Sequence, residues 1–159
     1  MRILGVMIAQ PARRIRCAAA ILVAAFAIVA CSSAPPARES AGATAASVAR
    51  AQVGVPYRYG GSTPAGFDCS GLVHYSYATA GISIPRTTTG QWAMMEPVDR
   101  HDMRAGDLLF FEISGKMSHV GLYLGDGRFV HAPSSGRKVS IESLRSGFYR
   151  KAFIRAGRP

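Results

Sequence analysis

The pattern of residues changes character once along this chain, near Gly106, and that change restricts the fold more than any other feature. From there onward five short segments rich in β-branched and aromatic residues follow one another: DLLFFEI, SHVGLYLG, RFVHA, KVSIES and KAFIRA. Turn signals at Gly115, Gly125-Asp126-Gly127 and Ser134-Ser135-Gly136 separate them, as in a run of antiparallel neighbours. Upstream the signals are helical. A first helix is predicted from about Ala45 to Gln52, ending near Gly54 and Pro56, and a glycine-rich loop follows over Tyr59–Gly66. A second helix opens at Asp68 or Cys69 and runs to Ala80, with Leu72, Val73, Tyr75, Tyr77 and Ala78 on its apolar side and Gly81 at the C′ position. A short helix is predicted over Thr89–Met95, after Pro85. Helices first and strands afterwards make an α+β domain, with N-terminal helices packed on a C-terminal antiparallel sheet of about five strands.

The first 30 residues have a different purpose. Arg2, Arg13, Arg14 and Arg16 precede the apolar run CAAAILVAAFAIVA and a small-residue site, which reads as an export signal. The run falls short of the roughly 20 apolar residues that span a bilayer. Its end, Ile28-Val29-Ala30-Cys31, resembles the lipobox of bacterial lipoproteins, so Cys31 is expected to carry lipid (palmitate-type acyl chains) and to become the first residue. The next stretch, 31–44, is rich in Ser, Ala and Pro and reads as a flexible tether, leaving 45–159 as one domain. The signal holds four of the 19 lysines and arginines and none of the nine acids, so the exported chain carries +6. That balance favours anionic partners. For an exported chain these are wall polymer and lipid head groups, not nucleic acid. Ser32 and Ser33 lack the aspartate that marks inner-membrane retention in enteric-type sorting, which by that rule places the protein on the outer membrane, facing the periplasm.

With Cys17 removed and Cys31 lipidated, Cys69 is left as an unpaired thiol in an exported protein, a pattern that marks reactivity. The bland alternative is a buried cysteine packing as a small hydrophobe. Its surroundings, YRYGGSTPAGFDCSGLVHYSY, favour a nucleophile. A thiol in the first turn of a helix faces the positive end of the macrodipole, which is expected to lower its pKa. Asp68 can cap that helix, and its free N–H groups can hold an oxyanion. A base is then needed. His74, five residues on, lies about 500° round the helix from Cys69 and faces elsewhere. His101 sits in the charged stretch DRHDMRAGD. His119 and His131 flank the Gly125-Asp126-Gly127 turn. A turn centred on Asp126 sets Gly121 opposite His131 and His119 opposite Pro133, making the two histidines diagonal neighbours on one face. A slip of one residue would separate them. No short-spaced ligand pair for zinc is present, and no metal or cofactor is expected.

The motifs PYRYGG, FDCSGLV, IPRTTTGQ, AGDLLFF and SHVGLYLGDGRFVHA follow in that order from the Pro56-Tyr57 pair to the C-terminal part. Together they resemble the NlpC-type family of cell-wall cysteine peptidases, a branch of the papain-like fold. The resemblance implies Cys69 as nucleophile, His119 as the base that later protonates the leaving amine, and His131 as the residue that orients His119. It implies the Tyr57 hydroxyl near the oxyanion or substrate, Asp68 and Ser70 against polar groups of the peptide, and Arg86 as a substrate contact or a structural residue. The implied substrate is the stem peptide of peptidoglycan. Likeness to small single-domain lipoprotein members, with no room for an added wall-binding domain, favours cleavage of the D-alanine to meso-diaminopimelate cross-link. Cleavage between γ-D-glutamate and diaminopimelate is the alternative. Two readings of other classes stay open, a non-catalytic wall-binding scaffold and a thiol hydrolase or acyltransferase acting on lipids. A regulatory adaptor protein is an expected partner.

Overall fold

A computed structural model describes residues 37–159, with side chains from residue 41 onward. The export signal, Cys31 and the start of the tether lie outside the described residues. Helix α1 (Ala37–Ala51) is followed by a small ribbon, β1 (Ser62–Thr63) and β2 (Gly66–Phe67), then by helices α2 (Cys69–Thr79) and α3 (Thr88–Met94). Next come β3 (Glu96–Val98), a 3-10 turn at Arg100–Asp102, β4 (Leu108–Ile113), β5 (Lys116–Gly125), β6 (Arg128–His131) and β7 (Ser140–Ser143). Helix α4 (Gly147–Ala152) and strand β8 (Phe153–Arg158) close the chain. Strands β3 to β8 form one antiparallel sheet in the order β3-β8-β4-β5-β6-β7.

The α+β expectation holds, and the differences have physical causes. The sheet has six strands rather than about five. The extra one, Glu96-Pro97-Val98, pairs only with β8 at the sheet edge. A proline there is tolerated because an edge strand has one unpaired side, yet it argues against a strand in sequence. Helix α1 starts at Ala37, inside the stretch read as tether. The segment is rich in Ala, the strongest helix former, and Ala45, Ala46 and Ala49 give it a buried small-residue face. Helix α4 is not among the predicted elements, and its last two residues, Lys151 and Ala152, fall in the segment KAFIRA expected to be strand. Ser146 caps the helix, its hydroxyl accepting the Tyr149 N–H at 3.3 Å.

The centre of the sheet explains the long apolar run in β4. Leu108, Leu109, Phe110 and Phe111 are all fully buried because β5 and β8 flank the strand and both sheet faces are covered. Leu108 and Phe110 join Val120, Leu122 and the α1 and α2 residues Ala45, Ala49, Leu72, Val73 and Tyr77. Leu109 and Phe111 face the other way, with Tyr123, Phe129 and Leu144, and Tyr149 of α4 packs against them. Each fully buried large side chain of this kind contributes about 1.5–3 kcal/mol. The Tyr77 hydroxyl donates to the Gly106 carbonyl at 2.6 Å and ties α2 to the entry of β4.

The hairpin between β5 and β6 sets the position of both histidines. Gly125, Asp126 and Gly127 all have positive φ, at 101°, 54° and 72°, which only this residue mix accepts cheaply. Leu122 pairs with Val130 and Tyr123 with Phe129, the register expected from a turn on Asp126, with a bulge after Tyr123.

Candidate active site

Cys69 is the first residue of α2. Asp68 caps the helix, one carboxylate oxygen accepting the Gly71 N–H at 2.7 Å and the Ser70 hydroxyl at 3.3 Å. Its other oxygen accepts the Gly60 N–H at 2.9 Å and the Arg86 guanidinium at 2.8 Å. Arg86 also donates to the Ser70 hydroxyl at 3.0 Å and to the Gly61 carbonyl at 3.1 Å. Asp68, Ser70 and Arg86 therefore form one clamp fastening the glycine-rich loop to the start of the helix. Their polar groups bond to one another and to the loop backbone, Ser70 is only 6% exposed, and all three residues line the cleft beside Cys69. A side chain at Gly71 would run into the Gly61 carbonyl and the Asp68 carboxylate, so glycine is what lets loop and helix touch.

The thiol lines a cleft of about 620 Å³ together with Tyr57, Tyr59, Arg86, Thr88 and Ser118 among others. Its side-chain partner is the Thr88 hydroxyl, 3.8 Å away at the start of α3, and its backbone partner is the Ser118 carbonyl at 4.0 Å. The N–H groups of Val120 and Ser70 also point at it. The thiol thus lies against the 118–120 segment of β5, with His119 in the middle of that segment. The His119 imidazole is 5% exposed and is not among the thiol's hydrogen-bond partners. Nucleophile–base contacts are commonly looser before substrate arrives.

The two histidines meet as the register requires. His119 Nε2 and His131 Nδ1 are 2.7 Å apart, with the rings nearly perpendicular. That bond occupies one nitrogen of His119 and leaves Nδ1 as the atom able to receive a proton. The far nitrogen of His131 meets two hydroxyls, Tyr149 at 3.4 Å and Ser140 at 3.5 Å.

The electrostatics differ from the expectation of a thiolate. Burial pushes the Cys69 thiol above its usual range, and the Asp68 carboxylate adds to this. The Thr88 hydroxyl and the Val120 and Ser70 N–H groups only partly oppose it. Burial lowers His119 to about 4 and His131 to about 3, the latter with help from His119 and Arg137. The resting pair at neutral pH is a neutral thiol and a neutral imidazole. The helix end supplies N–H donors rather than an already ionised sulfur.

Other sequence candidates fall elsewhere. His74 bonds the Ile84 carbonyl at 2.8 Å and holds the loop after α2. His101 is exposed on the 3-10 turn. Tyr57 lines the cleft half-buried, its hydroxyl kept protonated by burial and by the nearby Cys69 and Asp68. Thr88, Ser118, Tyr59, Ser140 and Tyr149 were missed. Tyr59 and Thr88 lie inside motifs already singled out, PYRYGG and IPRTTTGQ, whereas Tyr149 comes from the helix that sequence patterning did not reveal. Among the described residues no group of three His, Cys, Asp or Glu side chains is placed to hold a metal ion. A second cavity, about 480 Å³, lies at the far end of α2 beside Tyr77 and Ile82. Its Asp107 is engaged by Arg158 at 2.7 and 2.9 Å, and among the described residues no cysteine, serine, threonine or histidine lines it.

Comparison with known proteins places this arrangement. The family model described as "NlpC/P60 family" matches residues 54–158. The chain is 41% identical over 113 residues to the murein DD-endopeptidase MepH of Escherichia coli (strain K12), covering 67% of this chain and 42% of that protein. It is 43% identical over 109 residues to the bifunctional muramidase/DL-endopeptidase CwlT of Bacillus subtilis (strain 168), covering 66% and 32%. The crystal structure of an NlpC/P60 family protein from Bacillus cereus ATCC 10987 superposes with a TM-score of 0.69 at 34% identity, covering 74% of this chain and 39% of that one. The NlpC/p60 domain of the peptidoglycan hydrolase SagA superposes at 0.65 and 34% identity, covering 74% and 98%. The chain thus spans less than half the length of these two curated relatives and nearly all of the isolated SagA domain.

Proposed function

The chain belongs to the NlpC/P60 family, and from that premise we propose that it is a cysteine endopeptidase that opens peptidoglycan cross-links between D-alanine and meso-diaminopimelate. The observation that carries the reading is the pairing of Cys69, at the capped start of α2, with the β5 segment holding His119, itself bonded to His131 at 2.7 Å. In the first step Sγ bonds to the scissile carbonyl carbon while its proton passes to His119 Nδ1. The oxyanion is held by N–H groups at the open end of α2 and by the Tyr57 hydroxyl. The C–N bond then breaks, the amine leaves with the proton from His119, and a thioester remains. Water, deprotonated by His119, attacks the thioester, and the thiol recovers its proton as the acid is released.

A second reading, cleavage between γ-D-glutamate and diaminopimelate, draws support from the similar identity to a DL-endopeptidase. Digestion of diaminopimelate-type peptidoglycan with mass analysis of the products separates the two. Loss of cross-linked dimers with gain of tetrapeptide monomers is expected. Peptides beginning at diaminopimelate would establish the second bond instead, and intact peptidoglycan would leave only the binding or lipid-hydrolase readings.

We also propose that Cys31 carries lipid and holds the domain at the outer membrane, facing the periplasm, a reading supported by the Ile28-Val29-Ala30-Cys31 motif. Cys31→Ser should move the chain from the membrane fraction to the soluble fraction; retention on the membrane would contradict the anchor.

A further inference from the structure

His131 carries a polar contact on each side, and the outer one has no role in the chemistry just described. The residue is 1% exposed, so its ring nitrogens are served by protein groups. Nδ1 meets His119, and Nε2 meets the Tyr149 hydroxyl at 3.4 Å and the Ser140 hydroxyl at 3.5 Å. Both hydroxyls are placed by the fold. Ser140 is the cross-strand partner of His131 in the β6–β7 pair. Tyr149 stands on α4, its ring perpendicular to His131 at 5.3 Å and packed on Phe111 and Phe129.

Proton counting fixes the direction of these bonds once His119 has taken the thiol proton. An imidazolium carries N–H on both nitrogens. His119 Nε2 must then donate to His131 Nδ1, which must accept. Burial keeps His131 neutral, so its single proton must sit on Nε2. The hydroxyls facing Nε2 must then accept. In the opposite arrangement His131 Nδ1–H would donate to His119 Nε2. His119 would carry its proton on Nδ1, with no lone pair left for the thiol.

We propose that Tyr149, with Ser140, is a positioning residue that holds His131 in its Nε2–H form and through it keeps His119 able to receive the Cys69 proton. This rests on the peptidase reading above and extends its chain of groups outward to α4. The titratable groups bearing on the pair are few. His119 and Arg137 act on His131, and Glu142 and Arg137 act on Tyr149. Tyr149→Phe keeps the ring among Phe111, Phe129 and His131 and removes only the hydroxyl; Ser140→Ala removes the other acceptor.

The test uses the full chain as wild type, Tyr149→Phe, Ser140→Ala and the double variant. Two readouts are taken: cross-link hydrolysis, and nitrogen-15 NMR of the histidine rings at neutral pH. Wild type should show His131 protonated on Nε2 and unprotonated on Nδ1. The double variant should lose about tenfold or more in kcat, with KM within about twofold, because positioning of a general base acts on the chemical step. Its His131 signals should shift toward the Nδ1–H form. Wild-type kcat and unchanged ring signals in the double variant would overturn the proposal, as would an Nδ1–H form of His131 in wild type. Should wild type itself leave peptidoglycan intact, the peptidase reading falls, and the ring signals alone then decide whether the hydroxyls fix the tautomer.

Discussion

Cys69 and His119 are both held uncharged by burial, one thiol raised and one imidazole lowered to about 4. The consequence for pH dependence follows directly. As the proposed base, His119 must be unprotonated to accept the thiol proton, and it stays so down to about pH 4, well below the ordinary histidine value of 6.5. The acid limb of kcat/KM, which reports the free enzyme, should therefore fall near pH 4. A limb near 6.5 would mean that His119 is wetter than its packing, or is not the base. Individual residues were legible in sequence where covalent logic or turn geometry fixed them. Cys69 stood out as the unpaired thiol, and the His119–His131 contact followed from the turn on Asp126. The charge state was not legible, because a local rule about helix ends omits the desolvation that only the assembled cleft imposes. Thr88 and Tyr149 were missed for the same reason, since each reaches the site from an element distant in sequence.

Elements were legible when their signal was local. Helix α2, with its aspartate cap, and the β5–β6 hairpin carry their own start, stop and turn residues. Strand β3 and helix α4 do not. Three residues with a central proline become a strand only because β8 offers an edge, and six residues become a helix because Ser146 caps them and Tyr149 finds an aromatic pocket. Helix α1 lost its first turns to a reading based on Ser, Ala and Pro content, although its alanines favour helix. The contact of greatest consequence at this scale is the approach of the glycine-rich loop to α2. Gly71→Ala places a methyl group against the Gly61 carbonyl and the Asp68 carboxylate, with Arg86 also at 3.0 Å. Backbone cannot yield as a side-chain tip does, so a cost of about 1–3 kcal/mol is expected. Thermal unfolding of this variant should show a lowered Tm together with reduced hydrolysis. An unchanged Tm would show that the loop is not clamped to the helix.

At the scale of the whole molecule, a six-stranded sheet stands between two unlike layers. Helices α1 and α2 pack on one face, and α2 brings Cys69, the proposed nucleophile, to it. On the other face α4 covers Phe111 and Phe129 and reaches His131 with a hydroxyl. His119, the proposed base, and His131 belong to the sheet between them, so Cys69 and His119 come from different layers and are set by packing as a whole. That division was foreseeable from the order of helical and strand patterns, whereas the second layer was not, because α4 left no periodic trace. The most direct test of the account is digestion of purified diaminopimelate-type peptidoglycan by wild type and by Cys69→Ala, both shown to be folded and reduced. Wild type should convert cross-linked dimers to monomers and Cys69→Ala should produce none. Equal conversion by the two would contradict the central claim that this thiol is the nucleophile.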